Sequence, residues 1–131
     1  MTRYSTGRTF EYKVRSLLEE SGWWVVRSAG SKGVADLVGV SEAEVILVQC
    51  KHGAQPFSTR EWNELYRTAS AVGATPILAR STAERGRAGV EWWQLGSEKE
   101  GRTGKKWRWS VPKVVRAGTS GTEGQDLPRS A

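Results

Sequence analysis

Four consecutive apolar residues at positions 45–48, Val-Ile-Leu-Val, constrain the fold of this chain more than any other feature. Glu44 precedes the run and Gln49 follows it, so its ends are clearly marked. A strand that is apolar on both faces has to be covered on both faces, as a central strand is in a sheet packed between helices. The run therefore predicts a central strand over residues 44–51 and an α/β fold around it.

Two amphipathic segments supply the helices that such a sheet requires. Residues 6–21 are predicted to form a helix with an apolar face, and Gly22 is a typical helix end. Residues 58–61, Ser-Thr-Arg-Glu, have the form of a capping box and predict a second helix that ends near Gly73. The apolar face of the first helix consists of Phe10, Val14, Leu17 and Leu18, and that of the second consists of Trp62, Leu65, Tyr66 and Ala69.

The remaining strands are predicted from short segments rich in β-branched and aromatic residues. They cover residues 23–27, 34–40, 76–79 and 90–95, and residues 106–111 are expected to form a further strand or an extension of the sheet edge. From residue 117 onward Gly, Ser, Thr, Pro and Gln dominate, which is typical of disorder. We therefore expect one domain over residues 1–116 and a flexible tail over residues 117–131.

Composition excludes several classes of protein. A single cysteine, Cys50, cannot form an internal disulfide, so a disulfide-stapled secreted scaffold is excluded. The first 20 residues are polar and no apolar run approaches the roughly 18 residues of a membrane span, so we expect a soluble, intracellular protein. Cys50 and His52 are two soft ligands where a structural zinc site needs four, and Cys50 is better explained as a small buried strand residue.

The charge balance points to a polyanionic partner. The chain carries a net charge of +6, and residues 99–116 hold seven basic residues against one acidic residue. Such a surface favours nucleic acid, because each Lys or Arg placed on a phosphate releases counterions. The alternative is a basic protein that its charge merely keeps soluble.

Three unusual polar positions converge on the central strand. Asp36 interrupts an apolar run, and alternation puts Gln49 and Lys51 on one face of the central strand and Cys50 on the other. If the strands on either side of residues 41–44 pair as a hairpin, Asp36 meets Gln49 and Lys51 at one end of the sheet, and Glu11 can reach the cluster from the first helix. Oxygen ligands beside a lysine suit a Mg²⁺ site that acts on phosphate.

Each of these residues also has a purely structural explanation. Glu11 borders the apolar face of its helix and can extend outward into solvent. Asp36 can cap the nearby turn at residues 30–33. Lys51 can simply neutralise Asp36 in a structural ion pair. The sequence alone leaves these alternatives open.

The same residues carry a family resemblance. Glu11 in the first helix, Val-Val-Arg-Ser-Ala-Gly-Ser-Lys-Gly at residues 25–33, Asp-Leu-Val at 36–38 and Gln-Cys-Lys at 49–51 resemble the archaeal-type Holliday junction resolvases, which phages also encode. These enzymes belong to the PD-(D/E)XK nuclease superfamily. The resemblance is clear over the first third of the chain and looser through residues 58–79. It implies a restriction-endonuclease-like core in which helices flank a central mixed sheet.

The resemblance also implies a role for each matching residue. Mg²⁺, or Mn²⁺ as a substitute, would be held by Glu11, Asp36, Gln49 and the backbone carbonyl of Cys50, and Lys51 would orient the attacking water. Ser31 matches a serine near the scissile phosphate. The family usually has Glu where this chain has Gln49, and a neutral amide contributes an oxygen but no charge. The residues expected at the DNA are Arg8, Arg27, Ser31, Lys32, Lys105, Lys106 and Arg108.

The function that the resemblance implies is Mg²⁺-dependent resolution of four-way (Holliday) junctions by paired, symmetric phosphodiester hydrolysis, in DNA recombination and repair. Such resolvases are twofold dimers, which predicts a homodimer, and they act in the cytoplasm, or in the host cytoplasm if a phage encodes the chain. Two alternatives stay open. One is a nuclease of the same fold that acts on flaps or duplex DNA, and the other is a catalytically weak DNA-binding module.

The tryptophans have two interpretations. Adjacent tryptophans at 23–24 and 92–93 place one ring on each face of a strand, and most of these rings are expected in the core or an interface. Trp62 and Trp93 are candidates for an exposed dimer contact. In residues 105–109, Lys-Lys-Trp-Arg-Trp, bases alternate with aromatics, which is typical of a DNA-contacting segment or of an ordinary edge strand.

Overall fold

The computed structural model of the protein describes residues 3–28, 33–84 and 87–114. Within these ranges the chain forms two helices and six strands, and their order agrees with the predicted one. The elements are α1 (Arg3–Glu20), β1 (Trp24–Arg27), β2 (Leu37–Val40), β3 (Val45–Lys51), α2 (Thr59–Val72), β4 (Thr75–Glu84), β5 (Arg87–Leu95) and β6 (Lys106–Arg108).

The six strands form one mixed sheet in the order β1-β2-β3-β4-β5-β6. Strands β3 and β4 run parallel, with Val48 opposite Ile77, because α2 carries the chain back across the sheet between them. The other neighbours are antiparallel, and β2 pairs with β3 through Leu37 opposite Val48. The expected central strand is thus β3, which lies inside the sheet with neighbours on both sides.

Helix α1 covers one face of the sheet through the residues that the helical spacing selected. Phe10, Val14 and Leu18 are buried against β1, β2 and β3, while Leu17 is partly buried beside them. The buried members of this cluster are Phe10, Val14, Leu18, Trp23, Val25, Leu37, Ile46, Val48, Cys50, Ile77, Ala79 and Trp92.

Helix α2 covers the opposite face over β3 and β4, and its capping box forms as predicted. The Ser58 hydroxyl accepts from the Glu61 backbone N–H, the Glu61 side chain accepts from the Ser58 N–H, and Gly73 ends the helix in the left-handed conformation at φ 73°. Trp62, suggested as a dimer contact, is only 4% exposed. That suggestion is wrong, because Trp62 lies on the inner face of α2 and its ring packs between the helix and the sheet. The buried residues on this side are Ala35, Leu47, Trp62, Leu65, Ala69 and Leu95.

Four strands differ from the predicted bounds by more than one residue. Strand β2 begins at Leu37 instead of residue 34, because the side chain of Asp36 takes the Cys50 N–H that a preceding strand residue would otherwise bind. Strand β4 continues to Glu84 and strand β5 begins at Arg87, because the two strands stay paired with each other beyond the rest of the sheet. Strand β6 ends at Arg108, after which the chain turns onto the α1 face.

The chain after β6 closes the α1 side of the sheet. Trp109 packs against Trp23 and Trp92, with ring centroids 6.3 and 5.6 Å apart. The indole N–H of Trp23 donates to the carbonyl of Pro112 at 3.0 Å, and Trp24 beside it is exposed. Adjacent tryptophans therefore face opposite sides of the sheet, as alternation predicts.

The predicted tail, residues 117–131, and the turn at residues 29–32 lie outside the described residues. No helix in the described ranges is long and apolar enough to span a membrane.

Candidate active site at the end of strand β3

Asp36 is held where β2 begins, beside the end of β3. Its Oδ2 accepts a hydrogen bond of 2.8 Å from the backbone N–H of Cys50. Its own backbone bonds to both neighbouring strands, donating to the Val48 carbonyl and accepting from the Ser28 N–H, each at 2.8 Å. One carboxylate oxygen is thus fixed against the edge of β3.

The surroundings of Asp36 favour a positive charge. Burial raises the pKa of Asp36, the Cys50 N–H opposes this effect, and the negative charge of Glu11 raises the pKa further. Lys51 and Arg27 lower it, but the net shift is upward. The carboxylate therefore lies among groups from both sides of the sheet, and its charge is incompletely compensated.

Cys50 contributes its backbone to the site. Burial raises the pKa of its thiol well above the ordinary value, and the charges of Asp36 and Glu11 act in the same direction, so the thiol is neutral. In an antiparallel pair, backbone groups of alternate residues face the same neighbouring strand. Because the Val48 carbonyl accepts from Asp36, the carbonyl of Cys50 faces the same side of β3.

Glu11 approaches from α1 and is paired with a residue of β1. Its Oε1 accepts from Nε of Arg27 at 3.1 Å, with both side chains partly exposed. Together with Arg8, Tyr12 and Arg15 they line a cleft of about 450 Å³ beside α1 and the end of β1. The Glu11 carboxylate therefore has an ion-pair partner beside the cluster while its side chain stays partly exposed.

Lys51 is buried, with 6% of its surface exposed, and points to the α2 side of the sheet. Its Nζ donates to Oε2 of Glu61 at 2.7 Å, and no hydrogen bond joins it to Asp36 among the described residues. The structural ion pair considered from the sequence, Lys51 with Asp36, is thus not the one that forms. Lys51 pairs instead with Glu61 in the first turn of α2. Sequence reasoning identified Glu61 only as a capping residue, and the signal it missed was a carboxylate at the start of the helix that follows the lysine.

The charge of Glu61 is stabilised by this contact. Partial burial by itself raises the pKa of Glu61, but hydrogen bonds from Lys51 and Ser58 outweigh burial and bring the pKa below its ordinary value. Glu61 is therefore an anionic partner for the buried ammonium.

Comparison with known proteins identifies the family to which this chain belongs. The family model of the archaeal Holliday junction resolvases (Hjc) matches residues 2–88, which include α1 and every strand up to the β4–β5 hairpin. The chain belongs to this family. A curated relative, crossover junction endodeoxyribonuclease Hjc of Methanocaldococcus jannaschii, is 35% identical over 80 residues, which are 59% of this chain. The chain spans 59% of the length of that relative.

A solved structure has the same fold. The structure of Hjc from Archaeoglobus fulgidus, described as a Holliday junction resolvase from an archaeal hyperthermophile, superposes with a TM-score of 0.59 at 22% sequence identity. The match covers 79% of this chain and 83% of that one. The predicted restriction-endonuclease-like core, a mixed sheet flanked by helices, is confirmed.

The donors in this resolvase-family site suit a hard cation. No group of three or more His, Cys, Asp or Glu side chains able to hold a metal occurs within the described part of the chain. The two carboxylates, Glu11 and Asp36, the predicted amide oxygen of Gln49 and the carbonyl of Cys50 are all ligand types that Mg²⁺ prefers. Because Glu11 raises the pKa of Asp36, a cation near both relieves their repulsion. The residues therefore fit Mg²⁺, with fewer charges than a set that has Glu at position 49.

Other predicted contact residues of this resolvase-family chain fall into separate places. Arg8 and Arg27 share the cleft beside α1. Ser31 and Lys32 lie outside the described residues. Lys105, Lys106 and Arg108 lie on or beside β6 at the far edge of the sheet, where all three are exposed.

The exposed edge at β6 combines positive charge with an aromatic ring. Nζ of Lys106 lies 4.4 Å from the ring centroid of Trp93, and the guanidinium of Arg108 lies 5.1 Å from it. Burial lowers the pKa of Lys106, and the positive charges of Arg80 and Lys99 lower it further. The carboxylate of Glu91 lies among these bases, accepting from the Trp93 indole N–H at 3.0 Å and lying 3.8 Å from Arg108. With Lys105, Lys106 and Arg108 against Glu91, the edge keeps an excess of positive charge, which favours an anionic partner.

Proposed function

We propose that this chain is a Mg²⁺-dependent, structure-selective DNA endonuclease that resolves four-way junctions by paired, symmetric phosphodiester hydrolysis. The observation that carries the proposal is the arrangement at the end of β3, where Asp36 is fixed by the Cys50 N–H and Lys51 is fixed by Glu61. This arrangement lies within the residues that the resolvase family model matches. The basic surface of the protein also supports the proposal, because cationic side chains are needed to bind the phosphates of the DNA backbone.

Four groups would hold Mg²⁺: the side chains of Glu11, Asp36 and Gln49, and the backbone carbonyl of Cys50. The bound ion would supply Lewis-acid stabilisation of charge on the phosphate, and Mn²⁺ would substitute for Mg²⁺ at the same ligands. Asp36 would contribute a carboxylate whose Oδ2 is held by the Cys50 N–H at 2.8 Å.

Lys51 has the proposed role of orienting the attacking water and offsetting negative charge as the phosphodiester is cleaved. Its ammonium carries three N–H donors, of which Glu61 takes one at 2.7 Å. With respect to the described residues, two donors are therefore left for water and a phosphate oxygen. Ser31 would lie near the scissile phosphate.

The DNA would be held mainly through its phosphates. Arg8 and Arg27 line the cleft beside Glu11, close to the site. At the other edge of the sheet, the exposed bases on β6 are available to a second stretch of backbone. Selectivity for branched DNA would come from shape and phosphate contacts. The proposed contact residues are Arg8, Arg27, Ser31, Lys32, Lys105, Lys106 and Arg108.

We further propose that the chain acts as a homodimer, in the cytoplasm, in DNA recombination and repair, with residues 1–116 as its single nuclease domain. A twofold dimer places two sites on a twofold junction and cuts two strands symmetrically. Trp62 cannot serve as the contact, since it is buried, and Trp93 is engaged by Lys106 and Arg108. The better candidates are Trp24, 61% exposed, and Val26, also exposed, on the edge strand β1.

The second candidate function is a catalytically weak DNA-binding module. Gln49 favours it, because the cluster then holds only two carboxylates for the metal. A third candidate, a nuclease of the same fold acting on flaps or linear duplex, differs in substrate and would use the same site.

The deciding experiment compares cleavage of a fixed four-way junction with cleavage of a matched linear duplex. Wild-type protein and Lys51→Ala are each assayed with Mg²⁺ and with a chelator. Symmetric cuts in the junction alone, lost with chelator and with Lys51→Ala, are the expected result. Tight binding without any cut would identify a DNA-binding module, and equal cleavage of the duplex would identify the general nuclease.

A further inference from the structure

The proposed catalytic lysine is tied to the helix that follows it in the chain. Lys51 ends β3 with only 6% of its surface exposed, and a buried ammonium is costly without a partner of opposite charge. Among the described residues, the ion pair that meets this need is the one with Glu61, with Nζ 2.7 Å from Oε2. The position of the lysine charge therefore depends on the position of one carboxylate.

That carboxylate is itself fixed. Its second oxygen, Oε1, accepts from the Ser58 N–H at 3.0 Å, and the Glu61 N–H donates to the Ser58 hydroxyl at 3.1 Å. Rotating the carboxylate away from Lys51 would break the capping box at the start of α2. The Ser58 backbone N–H thus anchors the carboxylate on which the ammonium is held, and this bond does not involve the Ser58 hydroxyl.

The anchor also keeps the ammonium away from Asp36. Lys51 is close enough to Asp36 to lower the pKa of that carboxylate, yet it hydrogen-bonds Glu61 instead. A lysine released from Glu61 has Asp36 as an alternative anionic partner, and a pair with Lys51 would occupy the carboxylate proposed to face the metal. The position of the Lys51 ammonium and the availability of the Asp36 carboxylate to the metal then both depend on Glu61, a residue outside the family motif.

We propose that Glu61 is a positioning residue that holds the Lys51 ammonium apart from Asp36 and directed into the active site. This inference rests on the proposed nuclease function for its kinetic consequence. Its geometric part, the capture of the ammonium by Glu61, stands independently of that function. In this proposal Glu61 acts through Lys51, whose Nζ it holds at 2.7 Å.

The chain offers a matched pair of variants. Glu61→Gln retains an oxygen for the capping box, which accepts Gln as well as Glu, but it removes the negative charge. Ser58→Ala weakens the cap and leaves the ion pair with Lys51 in place. A purely structural role of Glu61 in capping predicts that Ser58→Ala is the more damaging change, and a positioning role predicts the reverse.

The kinetic test uses full-length protein, a four-way junction and Mg²⁺, with junction affinity measured separately in chelator. We expect Glu61→Gln to lower kcat about 10- to 100-fold with KM and affinity nearly unchanged, and Ser58→Ala to cleave at close to the wild-type rate. Adding Glu61→Gln to Lys51→Ala should cause no further loss, because the lysine it positions is gone. Equal losses in the two single variants, wild-type kcat in Glu61→Gln, or a further loss in the double variant would each overturn the proposal.

A second readout does not depend on cleavage. In ¹⁵N-detected NMR spectra of the metal-free protein, a fixed buried lysine ammonium gives a slowly exchanging Nζ signal, which Lys51→Ala assigns by its loss. We expect that signal in wild type and in Ser58→Ala, and its broadening or loss in Glu61→Gln. Its absence from wild type, or its persistence unchanged in Glu61→Gln, overturns the geometric part. If wild type shows the signal but cuts no junction, the nuclease proposal fails and the capture of Lys51 by Glu61 is retained.

Discussion

Removing either partner of the Lys51–Glu61 pair is expected to have very different effects on stability. Lys51→Met loses a charge-assisted hydrogen bond worth about 1.5–3 kcal/mol. It also replaces a buried ammonium, 6% exposed, by an apolar side chain of similar length, which contributes about 1.5–3 kcal/mol in return. The Glu61 side chain is 32% exposed and keeps its bond from the Ser58 N–H, so water can solvate the charge left behind. The two changes nearly cancel, to within about 1 kcal/mol of the wild-type free energy of unfolding.

Glu61→Met leaves the ammonium of Lys51 buried without a counter-charge. An uncompensated buried charge of this kind costs about 3–5 kcal/mol. Loss of the capping box adds about 1 kcal/mol, for a total of about 4–6 kcal/mol. The stability difference between the two variants should therefore be several kcal/mol, with the exposed partner the more damaging one to remove.

Urea unfolding followed by tryptophan fluorescence measures both values, because Trp62 lies in the core beneath α2. Lys51→Met should unfold near the wild-type midpoint and yet fail to cleave a junction. Equal destabilisation of the two variants would refute the reasoning, since it would mean that the pair contributes symmetrically. So would a Glu61→Met protein within about 1 kcal/mol of wild type, because the lysine would then reach solvent at little cost.

Three further predictions concern the site, the edge strand and the basic surface. For Asp36→Asn, the raised folded-state pKa means that the folded protein binds a proton more tightly than the unfolded chain, so ionisation costs stability as pH rises through that pKa. In chelator at pH 7 the variant should be more stable than wild type by about 0.5–2 kcal/mol, and this gain should fade at low pH. Cleavage with Mg²⁺ should fall by at least about 100-fold. A variant that is less stable than wild type at pH 7 would contradict this prediction. Trp24→Glu should weaken the proposed dimer by about 30-fold or more in sedimentation equilibrium with the fold intact, and an unchanged dimer would place the interface elsewhere. Lys106→Ala should lower the slope of log affinity for the junction against log salt by about 1, and an unchanged slope would mean that Lys106 contacts no phosphate.

The fold was predictable where local chemistry and burial agree. The spacing of Phe10, Val14 and Leu18 selects one helical face, and the structure buries all three. The capping box at Ser58 and the left-handed Gly73 mark the ends of α2 through hydrogen bonds that the sequence itself encodes. The strand lengths were less predictable, because the extent of β4 and β5 depends on each strand finding the other as its partner.

The candidate site was predictable only in part. Asp36 and Lys51 attract notice because charged residues beside apolar strand segments need partners, but the sequence does not say which partners they find. Lys51 was weighed as a partner of Asp36, and the structure pairs it with Glu61 instead. Capping of α2 already accounted for Glu61, so nothing in the sequence required a second role for this residue.

The sequence by itself determined the apolar pattern, and with it the helices, the central strand and the sheet that they enclose. It also determined the chemistry available at the end of β3: two carboxylates, an amide, a thiol and one lysine. The tertiary structure alone decided how those charges are paired, because Glu11 with Arg27 and Lys51 with Glu61 are contacts between elements whose side chains meet only after the helices pack on opposite faces of the sheet. Periodicity fixes the face on which a residue lies, whereas the partner of a buried charge depends on which element packs over that face.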